Sequence, residues 1–257
     1  MKSTKSIDIL RVKDDSISKE EDILIIEYPF TIYLNDKEII TLLCSPKSLK
    51  ELTLGFLYSE GFIYNISEVE RIQLHEEKGV VYVYLNKERS LNDAVQGKRT
   101  ITSGGCKGTS FNNVLDSFKS KKIETPLDIK IEEIKSLVKE FNNKSQLFLD
   151  TGGVHSCALC NRSRIIMFEE DIGRHNALDK LLGRALMDDI DLSDKLVLSS
   201  GRISSEMLIK IAKRGIPALV SRSAPTSLSV ELARKLNITL VGFARGEKMN
   251  IYSKFQW

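Results

Sequence analysis

The sequence predicts an α/β protein with a β-rich N-terminal region. Through roughly the first 90 residues, short apolar or alternating runs follow one another between turn signals. From Ser163 onward, strand-like runs alternate with segments of helical period. The composition of the 257 residues, 42% hydrophobic and 28% charged, provides a sizeable core and is too apolar, too evenly, for a disordered chain.

The elements follow in order. Ile23–Ile26, Phe30–Leu34 and Glu38–Cys44 read as strands, with Asn35-Asp36 as a turn between the last two. A helix is expected to begin at Ser45-Pro46, with Ser45 as N-cap and Pro46 in the first helical position. It carries Leu49, Leu52, Leu54, Phe56 and Leu57 and stops near Gly61. Ile72–Leu74 and Val80–Leu85 read as a further strand pair, and Thr100–Ser110 as a polar loop. Ile131, Ile134, Leu137, Val138 and Phe141 give 129–141 a helical period. Then come a strand at 164–168, a helix at 174–186, a strand at 195–198 and a helix at 204–213, ended by Gly215 and Pro217. A strand at 218–221, a helix at 226–236 and a strand at 238–243 complete the series. Such alternation implies a largely parallel sheet covered by helices, with ligands bound in loops beyond the strand carboxyl ends.

Charge is uneven. The net charge is +3, yet from Gly201 to Trp257 ten Lys and Arg stand against three Asp and Glu. That basic quarter suits either an anionic partner or a solvated face. No run approaches the roughly 20 apolar residues that span a bilayer, and Met1–Ser6 lacks an apolar signal core, so a cytoplasmic location is expected. In that compartment Cys44, Cys106, Cys157 and Cys160 are not expected to form disulfides. Cys44 closes an apolar run and reads as a small buried hydrophobe.

Several segments could carry chemistry. Ser103-Gly104-Gly105-Cys106-Lys107-Gly108 sets a cysteine among glycines beside a lysine that favours the thiolate. Cys106 there is either a nucleophilic or sulfur-carrying thiol or an incidental surface cysteine. Thr151-Gly152-Gly153-Val154-His155 suggests a tight turn presenting His155, as a general acid or base or as a packed structural histidine. Cys157 and Cys160 form a single CxxC; with His155 they make three candidate zinc ligands and no obvious fourth, so no structural metal is expected. Glu169–Asn176 joins a strand to a helix, offering either helix N-terminal amides to an anion or Asp171 as a cap beside an acidic rim. Ser199–Glu206, Ser221–Thr226 and Gly242–Asn250 repeat the theme with Gly, Ser, Arg and Lys after strands. Phe243 offers a stacking face, and Arg245 and Lys248 offer charge. Four such loops on one edge of a sheet suggest a composite site for a large anionic ligand. None ends in the Lys-Ser/Thr of a P-loop.

Residues Thr151–His155, Asp171–Lys180, Ser200–Met207 and Ser221–Thr226, with Leu52–Leu57 through Gly61 in the first half, resemble the FdhD family of formate dehydrogenase accessory sulfurtransferases. The resemblance covers nearly the whole chain. It implies a C-terminal α/β/α sandwich similar to the cytidine deaminase fold, and a homodimer. The division it suggests is a β-rich region over 1–100, a mobile sulfur-carrying loop and connection over 101–125, and a cofactor-binding α/β domain over 126–257. It implies that sulfur is accepted from a cysteine desulfurase as a Cys106 persulfide. The acceptor is the molybdenum bis(molybdopterin guanine dinucleotide) cofactor, before its insertion into formate dehydrogenase, and guanine nucleotides should mimic that ligand. The family's cofactor motif falls on Phe243, Ala244, Arg245, Gly246, Glu247 and Lys248, with His155, Arg174, His175, Arg202 and Arg222 as further pocket candidates. Neither nucleic acid nor membrane is expected as a partner.

One departure matters. Many members carry CxxC in the sulfur loop; here Ser103 replaces the first cysteine and Cys106 alone remains. A single thiol holds a persulfide but has no neighbour in that loop to resolve it as a disulfide. Cys157-Cys160 sits in a different motif. The alternative reading is a cofactor-binding chaperone that transfers no sulfur. A zinc hydrolase of the deaminase type would need His-x-Glu and Pro-Cys-x-x-Cys, and His155-Ser156-Cys157 supplies neither.

Overall fold

The computed structural model describes residues 1–86, 100–101, 107–108 and 122–253. The chain opens with a hairpin, β1 (Thr4–Lys13) and β2 (Ser16–Ile25), paired in register from Thr4↔Ile25 to Lys13↔Ser16. The sequence pattern had indicated only its last residues as a strand, because almost none of β1 is buried. Next comes a four-stranded sheet of β3 (Tyr28–Leu34), β4 (Lys37–Cys44), β5 (Val69–His75) and β6 (Val80–Leu85), in the order β4-β3-β6-β5. Asn35 and Asp36 make the turn between β3 and β4 with φ of 47° and 62°, the left-handed pair that a two-residue hairpin requires. Thr100–Ile101 (β7) pairs antiparallel with Lys107–Gly108 (β8).

The first helix, α1 (Leu49–Glu60), ends at Gly61 with φ 91°, as its glycine stop predicts. Its start differs from expectation. Ser45 and Pro46 lie outside the helix, and the chain enters it through Ser48 in a left-handed conformation. Ser45 is engaged elsewhere, on a buried carboxylate. The helix is apolar nearly all round because both sides are covered. Leu49, Leu52, Leu54, Phe56 and Leu57 share a core with Phe30, Ile32, Leu42, Val81 and Val83 of the sheet.

The second half is a six-stranded sheet in the order β10-β9-β11-β12-β13-β14. Its strands are β9 (His155–Cys160), β10 (Ile165–Asp171), β11 (Leu196–Ser199), β12 (Ala218–Ser221), β13 (Thr239–Arg245) and β14 (Lys248–Ser253). Between them run α2 (Ile131–Asn142), α3 (Gln146–Thr151), α4 (Arg174–Met187), α5 (Ser205–Lys213) and α6 (Ser227–Leu236), α2 and α3 preceding β9. Only β11–β12 and β12–β13 are parallel ladders, so the sheet is mixed rather than largely parallel. The difference comes from β9 and β14, which run antiparallel to β11 and β13. Alternation along the strands feeds two cores. Cys157, Leu159, Val197, Leu219 and Leu240 face α4, α5 and α6; Ala158, Cys160, Leu198, Val220 and Val241 face α2.

The halves lock together where α1 crosses α4. A Cβ on Gly55 would stand 1.6 Å from the carbonyl oxygen of Asp179, and one on Gly183 would stand 1.9 Å from that of Glu51. Only glycine at both positions permits this approach. Two buried ionic clusters flank the crossing. Asp179 binds Lys210 at 2.6 Å and accepts from Ser59 at 2.7 Å, and Lys210 also reaches Glu60 at 3.5 Å. Asp171 binds Lys180 at 2.7 Å, both fully buried, and accepts from the Ser45 amide and hydroxyl at 3.0 and 3.2 Å. Its other oxygen accepts from the Gly173 amide at 3.0 Å and the Asn176 side chain at 2.9 Å. Lys180 donates in addition to the Ser45 hydroxyl at 2.8 Å.

A buried pair costs much to break and little to replace as a unit. Asp171→Asn is expected to lower unfolding free energy by about 3–5 kcal/mol, because Lys180 loses its counter-charge. Adding Lys180→Met should recover part of that loss, a non-additivity read directly in urea denaturation.

Candidate functional site

The sheet register brings the loops singled out in the sequence to one edge. Asp171 at the end of β10 lies opposite His155 at the start of β9, and Ser199 at the end of β11 lies opposite both Cys157 and Ser221. Beyond that line sit the N-terminus of α4, the Ser200–Ser204 turn, the Ser221–Thr226 turn and the β13–β14 hairpin.

Ser200 organises the centre. Its hydroxyl accepts from the Ser156 amide at 2.9 Å and lies 3.4 Å from His155 Nδ1. Its own amide donates to Ser156 O at 3.0 Å. Gly201, buried beside it, allows Arg174 to pass: a Cβ there would meet Arg174 Cβ at 2.9 Å and His155 Nδ1 at 3.4 Å. His175 Nε2 is 3.2 Å from Glu206 Oε2 and 3.4 Å from the Ser204 hydroxyl. Arg222 is tied in by its amide, which donates to Ser199 O at 3.1 Å. Arg245 Nε donates to Arg222 O at 2.9 Å, and the Phe243 amide to Ser223 O at 3.1 Å.

The electrostatics are those of a cation cluster. Burial pulls His155 below the usual imidazole range, and the charges of Arg174 and His175 push it further down. Arg174 is lowered by burial and then by Arg202, against Glu206. Asp171 is bound to Lys180, and Glu206 acts on both His175 and Arg174. Two guanidiniums, two imidazoles and the N-terminus of a 14-residue helix thus meet at one edge.

His155, Arg174, His175 and Arg202 are brought together, with Arg222 and Arg245 adjoining. Phe243 is exposed, in a left-handed conformation with φ 51°, so its ring is free to stack. Ala244 points the other way, into the core against α2. Gly246 forms the turn with φ 54°, and Lys248 lies opposite Arg245 across the hairpin. Glu247 turns back to Lys135 of α2 at 2.7 Å, and this hydrogen bond lowers its pKa. Cys106 lies outside the described residues, directly before β8. Sequence reasoning missed the parts played by Ser200 and Glu206; both stand in the Ser199–Glu206 segment, and their partners lie on other elements.

The other cysteines are withdrawn from thiolate chemistry. Burial pushes the Cys44 and Cys157 thiols up to about 12 and raises that of Cys160 as well. Cys157 and Cys160 also face opposite sides of the sheet, one toward α4 and one toward α2, so this CxxC neither closes a disulfide nor shares a metal. A cavity of about 460 Å³ lies at the far end of α4, lined by Leu54, Val69, Ile72 and Met187 with Lys50, Glu70 and Arg71 around them. It holds no convergent set of reactive groups.

The fold and site therefore define a mixed α/β protein with a cationic sheet edge. Residues 25–256 match the model of the FdhD/NarQ family. A sulfur carrier protein FdhD of Bacillus subtilis is 42% identical over 252 residues, 98% of this chain and 96% of the relative. One from Listeria innocua is 42% identical, covering 96% of each. In structure the chain is similar to a protein from Desulfotalea psychrophila described as a formate dehydrogenase accessory protein, with TM-score 0.80, 28% identity and 99% of both chains covered. The chain belongs to the FdhD/NarQ family.

Two outcomes follow from the geometry. Gly201→Ala should displace Arg174 at a cost of about 1–3 kcal/mol, and thermal stabilisation by pyrophosphate should shrink in this variant relative to the natural chain. His155, lowered in the fold, binds its proton at a lower pH than in the unfolded chain. Between those two values the unfolded chain holds more protons, so stability rises with pH there and falls on acidification. His155→Gln should therefore lose less stability between about pH 7 and about pH 5 than the natural chain, measured by denaturation at each pH.

Proposed function

We propose that this protein is a sulfurtransferase of the persulfide-carrier type serving formate dehydrogenase. The observation that carries the reading is the withdrawal of Cys44, Cys157 and Cys160 from thiolate chemistry. That leaves Cys106, in its glycine-rich segment beside Lys107, as the carrier thiol. The names of the relatives, sulfur carrier proteins and a formate dehydrogenase accessory protein, support it.

The Cys106 thiolate attacks the outer sulfur of a persulfide on a cysteine desulfurase. The sulfur–sulfur bond to the desulfurase cysteine breaks, that cysteine leaves as a thiolate, and Cys106 holds the persulfide. The acceptor is the molybdenum bis(molybdopterin guanine dinucleotide) cofactor, bound as substrate before its insertion into formate dehydrogenase. Its pyrophosphate groups suit Arg174, Arg202, Arg222, Arg245 and Lys248, and Phe243 offers a face to guanine or pterin. Guanine nucleotides bind the same edge. The chain works in the cytoplasm as a homodimer; no described helix is long and apolar enough to cross a membrane. A second reading, a cofactor chaperone without sulfur transfer, draws on Ser103, which leaves Cys106 without a second cysteine in its segment.

Intact-protein mass spectrometry after incubation with a cysteine desulfurase and cysteine tests this. A gain of about 32 Da, reversed by reductant and absent in Cys106→Ala, is the expected result. No gain on the natural chain favours the chaperone, and a gain that survives Cys106→Ala contradicts the assignment of the thiol.

A further inference from the structure

Exposed apolar side chains concentrate on the β1–β2 hairpin. Leu10, Val12 and Ile17 are 65%, 68% and 69% exposed, and Ile23 is also open to water. The register puts all four on one face, in cross-strand rows Val12/Ile17, Leu10/Lys19, Asp8/Glu21, Ser6/Ile23 and Thr4/Ile25. The hairpin is a sheet of its own, joined to no other strand among the described residues. At its base Ile25 covers Gly153, and β2 touches α3, on which Phe148 and Leu149 are exposed. A two-stranded ribbon is marginal alone, and an apolar face of this extent marks a contact surface.

We propose that this face receives a second copy of the chain, hairpin against hairpin. The inference rests on the homodimer of the preceding reading and assigns its surface. The order of the rows selects the occupant. A copy laid face to face and antiparallel, with its two-fold axis between the Leu10/Lys19 and Asp8/Glu21 rows, brings Lys19 onto Asp8 and Glu21. The same operation brings Val12 and Ile17 onto Ile23. Ile17 and Val12 meet Ile23, Lys19 meets two carboxylates with Leu10 beside it, and every contact occurs twice, as an isologous interface requires. The opposite face carries ion pairs within the hairpin, Arg11 with Glu20 at 2.6 Å and Asp22 at 3.4 Å, beside the less exposed Ile7 and Leu24.

Sedimentation equilibrium of the full chain is the test. The natural chain is expected to be a dimer. Val12→Asp with Ile17→Asp should weaken dimerisation on the order of 100-fold while leaving the far-ultraviolet circular dichroism unchanged. Lys19→Glu should weaken it too, and Lys19→Glu with Glu21→Lys should restore it, a rescue that damage to the fold would not give. A dimer unaffected by all these changes overturns the hairpin surface and leaves the homodimer standing. A monomeric natural chain overturns both, including where the hairpin is taken by a different protein, and leaves the Cys106 result untouched.

Discussion

One buried carboxylate holds the site in place. Asp171 receives five donors: Lys180, the amide and hydroxyl of Ser45, the Gly173 amide and the Asn176 side chain. Ser45 follows β4 of the N-terminal sheet, Gly173 caps α4, and Lys180 lies two turns into that helix. A group so placed fixes the direction in which α4 leaves β10. Arg174 and His175 are the first two residues of α4, so their position at the sheet edge depends on contacts they do not make. Isolated in an apolar interior, either charge would carry a large desolvation cost; with every acceptor site occupied, the pair becomes a rigid joint instead.

The Gly55–Gly183 crossing works with that joint. Helices usually stand 8–10 Å apart; backbones that would strike each other's Cβ atoms stand closer. The close contact makes the four-stranded sheet, α1 and the α4–α6 layer one packed body, so the N-terminal region is a support for the cationic edge. The edge itself needs few groups. Ser200 joins two strand ends, Gly201 gives Arg174 room, and Glu206 holds His175.

Much of this was legible from residue patterns. Helical periodicity placed α2, α4, α5 and α6 within a residue or two, and strand–helix alternation identified the loops that converge. Asn35-Asp36 and Gly61 announced their turns, because left-handed backbone leaves a compositional trace. What escaped was set by tertiary contact. Ser45-Pro46 reads as a helix start, yet Ser45 is drawn to a carboxylate 126 residues away. Ser156–Cys160 is buried on both faces and so shows no alternation to mark it as β9. The single CxxC offered candidate ligands without an obvious fourth, and the pleat puts its sulfurs on opposite sides of a sheet. Strand β1, exposed along most of its length, carries no core-facing rhythm.

The long sequence separation of the Asp171–Ser45 link has a consequence for biosynthesis. Residues leave the ribosome from the N-terminus, so Ser45 and the four-stranded sheet emerge well before β10 and α4 exist to meet them. Until then α1 exposes the stripe around Gly55 that α4 later covers. The nascent N-terminal half therefore lacks its packing partner, and the cationic edge comes into being only once α4 has been made and docked. The cationic edge is thereby confined to chains that include α4, and a truncated product lacking α4 would present an open apolar helix face instead.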